Sequence, residues 1–132
     1  MNKEQELQFK FQMFEQQIIV IQHQLQAVEQ TLMDMTELNL GLDNIKKDRE
    51  ILAPIGKGIL TKAKVISEEL TVDVGGKNYV KKSIEETKEL IKEQIEKLEK
   101  IRRDLNGELD KINHELTATI INYENVKERE EK

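Results

Sequence analysis

Cysteine and tryptophan are absent from these 132 residues, and proline occurs once, at Pro54. Without thiols there is no disulfide framework, zinc knuckle or cysteine nucleophile. Aromatic residues make up 4% of the chain and charged residues 36%, a balance that suits extended helices better than a globular core. Long apolar runs are missing as well. The longest, residues 18–21, is far too short to cross a bilayer, so no membrane association is expected. The N-terminal MNKEQELQFKFQ lacks the apolar stretch of a signal peptide, and a cytoplasmic location is the expectation.

The net charge of −5 is uneven. Residues 51–82 hold six lysines against Glu68, Glu69 and Asp73, a local +3, so the remainder carries −8. Acidic flanks are a poor match for nucleic acid, whose binding rests on basic patches. The lysines of the central segment read as solvated groups on strand faces and edges.

That central segment also concentrates the strand signals. It holds Pro54 and four of the six glycines, Gly56, Gly58, Gly75 and Gly76. Apolar and β-branched runs at 51–55, 59–66, 70–74 and 78–81 are separated by the turns Gly56-Lys57-Gly58, Ser67-Glu68-Glu69 and Gly75-Gly76-Lys77. This pattern predicts two β-hairpins in series. Leu70, Val72 and Val74 alternate with Thr71 and Asp73; Ile59, Thr61, Ala63 and Val65 share one face opposite Lys62 and Lys64. So small a sheet leaves its edges open to another chain. An obligate oligomer is therefore expected, built through Ile51, Leu52, Ile55, Ile59, Val65, Leu70, Val72, Val74, Tyr79 and Val80.

Both flanks carry heptads. On the first, Leu7, Phe11, Phe14, Ile18, Ile21, Leu25, Val28, Leu32, Met35, Asn39 and Leu42 step by four and three, and only Asn39 is polar. Strands cannot produce such a seam. It predicts a helix over about 4–48, roughly 65–70 Å long. Asn39 either fixes register against a partner Asn or marks a wet site. Gly41 weakens the helix and lets it bend or end early. On the second flank, Ser83-Ile84-Glu85-Glu86 has the form of a capping box and opens a helix over 83–128. Its seam runs Ile84, Lys88, Ile91, Ile95, Leu98, Arg102, Leu105, Leu109, Ile112, Leu116, Thr119, Tyr123, Val126. Lys88 and Arg102 cover it with their aliphatic stems. Gly107, mid-helix and outward, is either a soft point or a plain cost in helix stability. The terminal KEREEK is expected to fray.

The matched lengths predict an antiparallel coiled-coil hairpin, with Leu7 near Tyr123 and Leu32 near Leu98; the alternative is that each helix pairs with another chain. At the end where the termini meet, Phe9, Met13, Ile19, Val20, Ile120 and Ile121 fall off the seam. Clustered exposed apolar groups suggest a binding surface, and Met and Phe suit an adaptable one; dimer packing is the alternative.

Residues for catalysis are not evident. His23 and His114 fall at outer heptad positions that the hairpin does not bring together. The glycine turns lack the spacing of phosphate-binding loops, and no nucleophile–base pair is found. Neither an enzyme, a cofactor nor a metal is expected.

The order long helix, two β-hairpins, long helix resembles the α class of the prefoldin family, in its archaeal form. The resemblance is carried by Leu52-Ala53-Pro54-Ile55-Gly56, Thr61-Lys62-Ala63-Lys64-Val65, Val72-Asp73-Val74-Gly75-Gly76 and Tyr79-Val80-Lys81-Lys82-Ser83. The charged turn residue Lys57 departs from the small residues common there. The resemblance covers essentially the whole chain as one domain, 1–132. It implies that hairpins 51–82 join a β-barrel platform in an α2β4 hexamer with β-class prefoldin subunits. It further implies an ATP-independent holdase that captures unfolded polypeptides at coiled-coil tips and passes them to a group II chaperonin. Leu7, Phe9, Phe11, Met13, Phe14, Ile120, Ile121 and Tyr123 occupy the region where the family contacts clients. The competing expectation is a structural protein that polymerises through its hairpins into filaments, since an unfinished edge can close a ring or extend a chain.

Overall fold

The structure, a computed structural model, describes residues 2–131, the side chain of Glu131 excepted. Lys132, the last residue of the tail expected to fray, lies outside the described residues. The element order is α1 (Lys3–Leu42), β1 (Glu50–Gly56), β2 (Ile59–Lys64), β3 (Leu70–Asp73), β4 (Tyr79–Lys82) and α2 (Ile84–Glu131). Two long helices with two small antiparallel hairpins, β1–β2 and β3–β4, are the fold class the sequence predicts.

The chain divides into two compact units. One joins the residues up to Thr31 with those from Leu98 on. There the helices run antiparallel: Lys3 Nζ donates to Glu130 Oε1 at 3.5 Å, and Leu7 and Lys10 border one groove with Thr119, Tyr123 and Val126. Leu7 and Tyr123 thus meet as expected. Every seam residue in this unit is buried or half-buried, Ile21 most completely.

The other unit spans Leu32–Lys97. Leu32, Leu42 and Ile91 are its buried apolar side chains. The helix segments are antiparallel here too, with Lys88 paired to Asp43. Asn39 is half-buried and borders a groove lined by Glu85, Lys88, Glu89, Lys92, Ile95 and Glu96. Its surroundings in that groove are largely charged.

The helix ends differ from expectation. α1 stops at Leu42, short of 48, the early end that Gly41 was expected to allow. Past Gly41 the backbone tightens: the amides of Asp43, Asn44 and Ile45 donate to the carbonyls of Leu40, Gly41 and Leu42 at 3.2, 3.1 and 3.2 Å. Such three-residue bonding satisfies the last carbonyls and closes a helix. Asp48 then takes φ 69°, a left-handed conformation that a right-handed helix does not pass through. Its amide donates to the Val65 carbonyl at 2.7 Å, already prolonging the β1–β2 ladder. At the other terminus α2 runs to Glu131, into the charged KEREEK tail. Arg129 lies in its last turn, where a cation meets the negative end of the helix dipole.

Both helix starts are capped. The Glu86 amide donates to Ser83 Oγ at 3.0 Å, as the S-x-x-E spacing requires. The sequence reading overlooked Asn2, whose Oδ1 accepts from the Gln5 amide at 2.8 Å while Gln5 Oε1 accepts from the Asn2 amide at 3.3 Å. It also overlooked Thr87, buried off the seam with its hydroxyl donating to the Ser83 carbonyl at 2.8 Å.

Candidate functional site

Two surfaces arise from this fold, one in each unit. The hairpins form the first. In β1–β2, Ile51 pairs with Ala63, Ala53 with Thr61, Leu52 with Lys62 and Pro54 with Leu60. Paired residues share a face, so Ile51, Ala53, Thr61 and Ala63 lie on one side and Leu52, Pro54, Leu60 and Lys62 on the other. A register shift between Pro54 and Gly56 makes a bulge before the turn. Lys57 and Gly58, at φ 47° and 78°, then form a left-handed two-residue turn whose twist matches the strands. In β3–β4, Val72 pairs with Val80 and Asp73 with Tyr79. The Asp73 carboxylate caps this turn by accepting from the Gly75 amide at 2.8 Å.

Each sheet has only two strands, so every strand keeps one side unpaired. Of the residues expected to mediate assembly, Ile51, Val65, Leu70 and Val72 are half-buried, while Leu52, Ile55, Ile59, Val74, Tyr79 and Val80 are exposed. Leu60 and Ile66, which the sequence analysis did not single out, are exposed as well, the latter at 84%. Their signal was available: both fall on the face of Lys62 and Lys64, which invites the assumption that this side is wholly solvated.

The second surface lies where α1 begins and α2 ends. Leu7, Phe11, Phe14 and Tyr123 are half-buried in the seam. Phe9, Met13, Ile120 and Ile121 are exposed, as their heptad positions predict, with Phe9 at 55%. Met13 and Phe14 border an open groove with Ala118 and Thr119, which Lys10, Gln17 and Glu115 also line. Exposed Ile19 and Val20 follow along α1. An adaptable apolar side chain set beside a shallow apolar groove can take up varied apolar groups without demanding one shape.

His23 and His114 are both exposed, on different helices. Among the described residues no group of three or more His, Asp or Glu is arranged to hold a metal, and no helix is long and apolar enough to cross a membrane.

The prefoldin subunit family model matches residues 7–129. Prefoldin subunit alpha 1 of Methanocaldococcus jannaschii is 30% identical over 78 residues, a stretch covering 59% of this chain and 55% of that protein. The match therefore spans about half the length of this curated relative. A cryo-EM structure of filamentous PFD from the same organism aligns with a TM-score of 0.76 at 18% identity, covering 87% of this chain and 98% of that one; the likeness is one of fold. With a family match running through both helices and both hairpins, this chain belongs to the prefoldin subunit family.

Proposed function

We propose that this chain is a subunit of an ATP-independent holdase chaperone of the cytoplasm. The whole chain acts as one prefoldin-type domain. It assembles through its hairpins with β-class prefoldin subunits, as an α2β4 hexamer, and holds non-native polypeptides before their transfer to a group II chaperonin. The observation that carries this reading is the exposure of Phe9, Met13, Ile120 and Ile121 at one end of a helix pair whose seam is otherwise covered. These side chains do not contribute to the seam and suit a folding client's apolar groups. A holdase binds the unfolded state in preference to the native one. Single contacts of this size are weak, and several subunits presenting them together gain avidity. Capture of this kind needs no nucleotide and no catalytic residue.

The test is suppression of aggregation. Light scattering from a denatured test protein is expected to fall when this chain is added with a β-class partner and without nucleotide. A Phe9→Ser/Met13→Ser/Ile121→Ser variant should assemble normally and lose most of that protection. Undiminished protection would overturn capture at this end.

Two observations favour a second reading, polymerisation into filaments. Each strand keeps an unpaired side, and a chain of the same fold is described as filamentous PFD. Sedimentation of the purified chain separates the two. A small species that becomes one defined complex with a β-class partner supports the chaperone reading, and long polymers of the chain alone support the filament.

A further inference from the structure

Asparagine occurs eight times in the chain, and only Asn106 is followed by glycine. The pair lies midway along α2, and both residues are exposed. The Asn106 side-chain amide has no hydrogen-bond partner among the described residues. Nothing stands within 4 Å of where a Cβ on Gly107 would lie.

An asparagine side chain is an electrophile for the next backbone nitrogen. When the Gly107 nitrogen attacks Asn106 Cγ, the N–Cγ bond forms, the Cγ–Nδ2 bond breaks, and ammonia leaves with the amide proton. The product is a five-membered succinimide. Water then opens the ring at one of its two carbonyls and yields aspartate or isoaspartate. No oxidant, reductant or second enzyme takes part. A following side chain hinders the attack, and glycine has no Cβ to do so.

The helix holds this reaction back. Within α2 the Gly107 amide donates to the Arg103 carbonyl, which keeps the nitrogen engaged and turned away from Cγ. Attack therefore needs local opening. Glycine is the poorest helix former among the residues of α2, so opening costs least at this point, and local openings need far less than global unfolding. Asn44 and Asn78 lie outside the helices and are exposed, free of that restraint. They are followed by Ile45 and Tyr79, whose side chains obstruct the same attack.

We propose that Asn106 is a self-modification site whose rate is set by opening of α2, and that isoaspartate formed there breaks the helix. Isoaspartate adds a methylene to the main chain and throws the following residues out of the i→i−4 ladder. The break falls between Leu105 and Leu109 of the seam, short of Ile120, Ile121 and Tyr123. The aspartate product does less. It keeps the ordinary backbone, and its new charge has Arg102 and Arg103 one turn before it and Asp110 one turn after. The inference goes beyond the chaperone reading and does not depend on it.

The test incubates the full-length chain in neutral buffer over weeks and locates isoaspartate by peptide mapping with mass spectrometry. Product is expected at Asn106 and at none of the other seven asparagines. Its rate should rise more than about tenfold in urea that unfolds the helix. Gly107→Ala should slow it more than about tenfold, because the methyl group both hinders attack and strengthens the helix. The isoaspartate form, separated by its added charge, should show a weaker helical circular dichroism signal and a lower Tm than Asn106→Asp, which carries the same charge on an ordinary backbone. No product in the native chain, while the unfolded chain reacts, would overturn the site. Equal accumulation at Asn44 or Asn78 would do the same. An equal rate with and without urea would overturn control by helix opening, and undiminished helicity in the isoaspartate form would overturn the break.

Discussion

Ile91 on α2 is 5% exposed and Ile66, just past β2, is 84% exposed. The same side chain thus has opposite fates in the helical and the hairpin parts of the protein. The helices cover their apolar pattern within one chain, where every seam residue is buried or half-buried. The hairpins cannot, since two two-stranded sheets have more apolar faces than partners for them. The difference teaches where this protein is complete and where it calls for another chain.

That contrast can be broken most directly at the isoleucines. Ile91→Ala is expected to cost about 2–4 kcal/mol in urea unfolding followed by circular dichroism, as deletion of a buried apolar side chain does. Ile66→Ala should cost less than about 0.5 kcal/mol in the isolated chain. Comparable losses at the two sites would mean that the hairpin is covered within the monomer. A smaller effect sharpens the helical side. Gly107 sits mid-helix with nothing within 4 Å of where a Cβ would stand, so Gly107→Ala should stabilise by about 1 kcal/mol. No gain would show that the helix is not regular there. The smallest effect belongs to the first hairpin. Lys57 holds φ 47°, which costs a side-chain-bearing residue about 1 kcal/mol and suits Asn better. Lys57→Asn should stabilise by about 0.5 kcal/mol, read as a rise in Tm.

The helical part was legible from residue identity almost throughout. Every position of both heptad series, from Leu7 to Leu42 and from Ile84 to Val126, is buried or half-buried, since a repeat held over many turns leaves one stripe that can be covered. The ends were harder. The apolar seam runs out at Leu42 and Gly41 allows an early end, but the backbone path that follows also rests on Asp48 and Val65, distant in sequence, pairing across the ladder. Thr87 could not be found from its own position, because its burial comes from local packing and its hydroxyl from a bond back to Ser83. Of the candidate surfaces, Phe9, Met13, Ile120 and Ile121 followed from heptad phase alone. Leu60 and Ile66 did not, because alternation with lysines hides an apolar face.

Residue identity was enough for the helices, their seam, the two hairpins and the family, because periodicity and turn chemistry are properties of neighbouring residues. Which apolar side chains of the hairpins stay uncovered depended on the folded arrangement. Exposure there depends on what lies across from a residue, and for Leu60 and Ile66 no other part of the described chain covers them.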